Sequence, residues 1–267
     1  MNKIILLLFA ITLASCSNDD DTAENQPLLN SYHFANMFYV QPSLASATES
    51  NQVTLTYNND GQIIKRLGGV RDMDPATGFY GAYSAEISDD VSYANQTILI
   101  EEGRVLPFYP DPASRTKIAL DVNNKMLQRI NLRALPIYQT SSDTIKFTYN
   151  AAGLISGSRK GNPSSDYEVA EYFYNANKNL DSIMTQVYIS GIYFYRIKET
   201  FSGYDTAANP LKKMFLFKET FLRSLSKNNF MHYQKDRYDF DNTLVAHEER
   251  NWTIPHNANG DILFDVN

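Results

Sequence analysis

Apolar and polar positions alternate along much of this chain with a period of two, and short turns interrupt the alternation. The clearest instance is Phe147-Thr148-Tyr149-Asn150-Ala151-Ala152-Gly153-Leu154-Ile155. Phe147 and Tyr149 are separated by one Thr, so they share one face of a strand. Asn150 and Gly153 supply turn chemistry, because Asn bonds its own backbone and Gly has no Cβ to clash at positive φ. Leu154 and Ile155 then restart a β-prone run. The stretch predicts a β-hairpin.

Looser copies recur through the chain. Val53-Thr54-Leu55-Thr56-Tyr57 leads into Asn58-Asn59-Asp60-Gly61 and returns at Ile63. A degenerate copy places its turn at Asn123-Asn124-Lys125, before Met126-Leu127. Tyr172-Phe173-Tyr174 precedes Asn175 and returns at Leu180, and His256-Asn257-Ala258-Asn259-Gly260 precedes Ile262. Anchors at Tyr57, Val122, Tyr149, Tyr174, Tyr204 and Tyr238 are roughly 25–35 residues apart after the first gap, a two-strand spacing.

Two stretches break the rhythm. Between about 68 and 112, Gly68-Gly69, Gly78, Gly81 and the prolines Pro107, Pro110 and Pro112 predict an insertion, with strands only near 83–87 and 97–100. Such an insertion serves either as binding loops on one face or as a cover for a sheet edge. From 211 to 227 the period changes: Leu211, Met214, Phe215, Phe217, Phe221, Leu222 and Leu225 recur at spacings of three and four, which predicts one amphipathic helix. Pro210 suits its first turn.

The N-terminus has a different character. Lys3 precedes an apolar run from Ile4 to Leu13 that is too short to span a bilayer but right for a signal-peptide core. The run ends in Leu13-Ala14-Ser15-Cys16, which looks like a bacterial lipobox, with Cys16 as the lipidated residue. Residues 1–15 are thus read as a lipoprotein signal peptide, 16–30 as a lipidated flexible tether, and 31–267 as a single repeat-built β domain. The tether is polar and acidic, with Asp19, Asp20 and Asp21, and cannot bury enough apolar surface to fold. Cys16 is the only cysteine, so no intrachain disulfide forms.

Composition narrows the chemistry. The 267 residues carry a net charge of −6, which disfavours nucleic acid as a partner. Tyr and Phe are abundant, at 18 and 15, as a sheet protein requires. There is no nucleophile elbow, phosphate loop or zinc-binding His pair. His33, His232, His247 and His256 are far apart in sequence, and no cofactor or metal is expected. Asp166, Glu168 and Glu171 are candidate acids, and Asp72-Met73-Asp74 reads as a solvated turn. Phe79, Tyr80, Tyr83, Tyr93, Phe108 and Tyr109 are candidate sugar-stacking aromatics. No catalytic residue emerges.

The turns at 57–63, 149–155, 174–180 and 256–262 resemble the hairpins of uncharacterised outer-membrane lipoproteins of Bacteroidota-type bacteria, which are similar to YD repeats. The resemblance implies architecture and an envelope setting, but no activity. Four Asp-Ser/Thr-apolar triplets resemble the O-glycosylation acceptor of the same bacteria, and Thr22 in the tether is the candidate. The expected fold is mainly β, an antiparallel meander of repeated hairpins with one packed amphipathic helix. The leading function is a non-enzymatic cell-envelope lipoprotein, held to the outer membrane through its lipid, that binds a glycan or envelope protein or serves structurally. Surface and periplasmic orientations both fit. A glycan- or peptide-acting enzyme and a lipid carrier with a cavity under the helix are the alternatives.

Overall fold

The computed structural model describes residues 28–33, 52–72, 81–104, 115–134 and 140–264. Cys16, Thr22 and most of the tether lie outside them. The described strands are β1 (Ser31–His33), β2 (Gln52–Tyr57), β3 (Ile63–Asp72), β4 (Gly81–Ala94), β5 (Thr97–Arg104), β6 (Arg115–Leu120), β7 (Met126–Ala134), β8 (Thr140–Tyr149), β9 (Ile155–Gly161), β10 (Tyr167–Tyr174), β11 (Leu180–Ile189), β12 (Ile192–Ser202), β13 (His232–Asp239) and β14 (Leu244–Asn251). They form one sheet in simple chain order, and every neighbouring pair is antiparallel. The expected meander is what the chain builds.

The repeated turn has a single construction. Residue pairs six apart close it: Tyr57 with Ile63, Leu120 with Met126, Tyr149 with Ile155, Tyr174 with Leu180, Tyr238 with Leu244, and His256 with Ile262. The residue after the first closing position is Asn or Asp. Its side-chain oxygen accepts from the amides two and four residues on, as Asn58 does from Asp60 (3.0 Å) and Gln62 (2.9 Å). Asp121, Asn175, Asp239 and Asn257 repeat this pattern. Three positions further on, the backbone takes positive φ, at Gly61, Asn124, Gly153, Lys178, Asn242 and Gly260. This is a three-residue loop with a bulge. The Asn or Asp defines it, and Gly is one of several residues that fill the left-handed position.

That construction corrects two expected anchors. In the degenerate copy the acceptor is Asp121, so the anchor is Leu120. Val122 is a loop residue, 81% exposed. Tyr204 lies beyond β12 and precedes no hairpin, although its hydroxyl donates to Leu180 O. Related tyrosine bonds tie neighbouring elements together: Tyr57 to Leu29 O (2.6 Å), Tyr93 to Ile63 O (2.9 Å) and Tyr149 to Met126 O (2.8 Å).

The described residues between 68 and 104 continue the meander, as the end of β3 and the long strands β4 and β5. The expectation of two short strands there fails because Gly68 and Gly69 sit at a register shift opposite β4, not in an open loop. Small Ser, Ala and Gly residues in β4 then conceal the alternation.

The single helix expected over 211–227 is broken. A 3-10 turn spans Pro210–Met214, and an α-helix, α1, spans only Lys218–Ser224. Phe217 between them is extended, at φ −106° and ψ 142°. The reason is burial: Leu211, Met214, Leu216 and Phe217 are each at most 2% exposed. Their spacing of three, two and one cannot lie on one stripe of a continuous helix. Thr220 Oγ1 donates to Met214 O (2.6 Å) across the break. Asn209, fully buried, joins the two ends: its Oδ1 accepts from Leu211 N (3.0 Å), and its Nδ2 donates to Arg223 O (2.7 Å) and Ser226 O (2.9 Å).

This segment covers one face of the sheet. Leu211, Met214, Leu216 and Phe217 pack with Val53, Leu55, Ile98, Ile118, Phe147 and their neighbours. A second cluster gathers Phe201, Phe230 and Tyr233 with Leu180 and Ile183. The C-terminal residues close over it. Arg223 stacks on Phe230 (4.7 Å), Trp252 (5.1 Å) and Phe264 (6.0 Å), and His33 N donates to Phe264 O (2.5 Å).

Candidate functional site on the core-facing side of the sheet

The bulge in each repeated turn shifts the strand's alternation by one. The residue three positions after the closing pair therefore faces the same way as that pair. Ile63 and Arg66 both face the core, and so do Ile155 and Ser158 and, farther along, Leu180 and Ile183. Simple alternation from Ile63 would point Arg66 outward, which is why the sequence conceals it.

Arg66 is the centre of a buried ion cluster. Its guanidinium reaches Asp89, with Nε to Oδ2 at 2.6 Å, and also Glu219 of α1. The three side chains are only 10%, 9% and 8% exposed. The Arg66 guanidinium also lies 4.1 Å over the Phe217 ring. Tyr32 donates to Glu219 at 3.4 Å. Burial raises the Asp89 pKa, and Arg66 opposes that rise. The cluster fastens the covering segment to the sheet and leaves no open position at its centre.

Beside it, between α1 and β8–β12, lies a cavity of about 200 Å³. Phe147, Tyr172, Ile183, Phe221 and Leu222 give it an apolar side, while Lys160, Glu168 and Glu199 give it a charged one. Tyr233 donates to Glu199 Oε1 at 2.7 Å. Burial raises the Glu199 pKa, with the Tyr233 bond and Lys235 opposing. Lys160 Nζ lies 3.9 Å from Glu168. Tyr172, held 3.2 Å from Ser158 Oγ, is pushed up to about 12 by burial.

Of the acids considered from sequence, only Glu168 borders this cavity. Asp166 accepts from Ser190 N (2.9 Å) and fixes a turn. Glu199 was concealed within Lys198-Glu199-Thr200, which reads as solvent-facing. Glu168 aligns with Tyr195 through Val187, two strands away, and Glu199 lies four residues further along. Strand spacing and rise put their α-carbons about 16 Å apart.

The candidate aromatics divide. Tyr83 donates to Gln52 O (2.7 Å) and Tyr93 to Ile63 O, so both serve the sheet. Phe79, Tyr80, Phe108 and Tyr109 lie outside the described residues, as do Met73 and Asp74. Among the histidines, His33 is buried. His232 and His247 are brought together on the opposite face of β13 and β14, where Ser202, His232, Glu249, His247 and Asp236 form a chain of contacts. His256 contacts Asp205 (3.4 Å). Among the described residues, no group of three or more His, Cys, Asp or Glu converges to hold a metal ion.

No family model matches the chain, and no curated protein matches it. Among solved structures, it is similar to a porin-like protein from Bacteroides uniformis ATCC 8492, at 10% identity and a TM-score of 0.47, covering 79% of this chain and 80% of that one. It is also similar to a porin-like protein from Bacteroides vulgatus ATCC 8482, at 11% identity and a TM-score of 0.49, covering 81% and 87%. Likeness at this level carries nothing about function or location.

Proposed function

We propose that this protein is a lipid-anchored component of the outer membrane that binds a small ligand, or one group of a larger glycan or peptide, without transforming it. The cavity between α1 and β8–β12 carries the binding half of this reading, because it sets apolar and charged walls against each other in one place. Its volume, about 200 Å³, is below the ~300–1,000 Å³ of sites that enclose a whole drug-sized molecule. That size and the charged wall favour a small ligand over the bulk lipid of a carrier. The anchoring half rests on Leu13-Ala14-Ser15-Cys16.

Each half has its own test. Cys16→Ala should move the protein from the membrane fraction to the soluble fraction, and an unchanged fraction rejects the anchor. For binding, the protein is screened by thermal shift against oligosaccharides and small organic compounds, beside Ala170→Leu, which narrows the cavity. Compounds that stabilise the wild type but not the variant support the reading. Equal shifts in both put binding elsewhere.

A further inference from the structure

We propose that Arg129 anchors a carboxylate subsite at the rim of this cavity, and that the ligand is a small organic anion whose apolar part enters beneath Phe221 and Leu222. The inference rests on the cavity being the ligand site.

Arg129 lies on β7 and, like Arg66, is the residue three positions after a closing pair, here Leu120 with Met126. The two arginines are treated differently by the fold. Arg66 has two carboxylates. Arg129 makes one hydrogen bond, from Nε to Asn131 Oδ1 (3.2 Å), and no described carboxylate pairs with it. Asn131 Oδ1 also accepts from Thr116 Oγ1 (3.1 Å). Two donors on that oxygen fix the amide orientation and leave Nδ2 as a donor beside the guanidinium. Burial, followed by the nearby Arg66 charge, lowers the Arg129 pKa to about 10, with the Asp89 charge opposing. A buried cation that no described carboxylate bonds, and whose cost the Asp89 charge only partly offsets, is one that a bound anion stabilises.

Register places the Arg129 backbone beside the strand that walls the cavity. Arg129 is the cross-strand partner of Ile145, and Ile145 is the partner of Lys160. Ile145 and Lys160 both line the cavity. The Arg129 backbone is therefore one strand, about 5 Å, from that of a wall residue, within reach of an arginine side chain. A guanidinium fork matches the two oxygens of a carboxylate. The apolar lining beyond it selects an anion with a hydrocarbon group over a bare inorganic one.

The test titrates the protein at low ionic strength with hexanoate, acetate, hexanol and inorganic phosphate, by calorimetry and thermal shift. Hexanoate should bind saturably, acetate and phosphate more weakly, and hexanol not measurably. Arg129→Gln should weaken hexanoate about tenfold or more, the worth of a lost charge-assisted pair. It should leave the unliganded melting temperature unchanged or raised, because it removes a buried charge that Asp89 only partly offsets. A structural arginine would instead lower that temperature and leave affinity intact, which overturns the proposal. So does phosphate binding as tightly as hexanoate, or no binding of any probe. Phe221→Ala should weaken hexanoate but not acetate. If neutral compounds bind in a manner sensitive to Ala170→Leu while no anion does, this inference fails and the cavity reading stands. If Arg129→Gln abolishes hexanoate binding and Ala170→Leu leaves it intact, the anion binds at Arg129 outside the cavity, and the cavity reading fails together with this inference.

Discussion

The six repeated turns and the segment over 209–230 solve the same problem of chain reversal by opposite means. Each turn is satisfied within seven residues, by its own Asn or Asp side chain and one left-handed backbone position. The covering segment adds to its internal bonds at Asn209 and Thr220 a set of ties from a distance. Arg66 reaches Glu219 from 153 residues away, and Asn179 Oδ1 accepts from Asn228 N at a separation of 49. Local turns make the sheet cheap to repeat. The distant contacts hold one short, irregular element in a single place over that sheet. The difference predicts that damage to the covering segment spreads through the fold, while damage to a turn stays where it is made.

The largest effect should come from Arg66. Arg66→Met leaves Asp89 and Glu219 buried without their cation, and breaking a buried pair this way costs about 3–5 kcal/mol. Urea unfolding measures it. Replacing Arg66, Asp89 and Glu219 together by Met, Leu and Met should recover at least half of that loss, since matched apolar groups carry no desolvation penalty. A single variant within about 1 kcal/mol of wild type would mean that the cluster does not hold the segment down.

A turn should give less. Gly153→Ala forces a Cβ into a position at φ +79°, where its nearest neighbour is Lys125 Nζ at 3.0 Å, the movable end of a side chain. The backbone penalty is then about 1–2 kcal/mol. The five other copies and the ligand affinity should be untouched. Gly161→Ala sharpens the contrast, because its Cβ would fall 2.4 Å from Asp166 O, a backbone atom that cannot swing aside. It should lose more than Gly153→Ala. Equal losses would show that the Asp166 backbone gives way to the added Cβ.

The same division explains what the sequence disclosed. The turns were legible because their chemistry is local: Tyr149, Asn150 and Gly153 announce strand, acceptor and left-handed residue in order. Even there the copy at Asp121 was misplaced by two residues, because Asp and Asn serve equally as acceptor and Gly is optional. The core-facing polar groups were not legible. Arg66 and Arg129 face inward only because the preceding bulge shifts the alternation, and Glu199 stands in a polar run. The covering segment announced itself as apolar but not as broken. Its break depends on Leu216 and Phe217 finding partners on distant strands, and on Asn209 closing the loop behind them. Of the candidate site, Glu168 alone was foreseen, and its significance comes from Lys160, Phe221 and Glu199 arriving around it.

The smallest effect belongs to a place that is neither turn nor covering segment. On the outward side of β13 and β14, His247 Nδ1 lies 2.6 Å from Asp236 Oδ1, and Glu249, Gln234 and Lys198 surround the pair. The hydrogen bond from His247, opposing the cost of burial, holds the Asp236 pKa below 3.8. The bond to Asp236, followed by the Asp236 and Glu249 charges, raises the His247 pKa above 6.5. The raised His contributes stability that is fully present below its unfolded value and is lost as pH rises through its folded value. The lowered Asp contributes stability that is present above its unfolded value and is lost as pH falls through its folded value. The pair therefore works best between about 4 and 6.5, the two unfolded values. His247→Asn should lower the thermal midpoint more at pH 5.5 than at pH 8.5. Amide exchange should quicken in β14 and not in β2 or β3. Exchange that quickened across the whole sheet would mean that β14 shares the cooperativity assigned to the covering segment. A loss independent of pH would place the effect in packing and not in the charge pair.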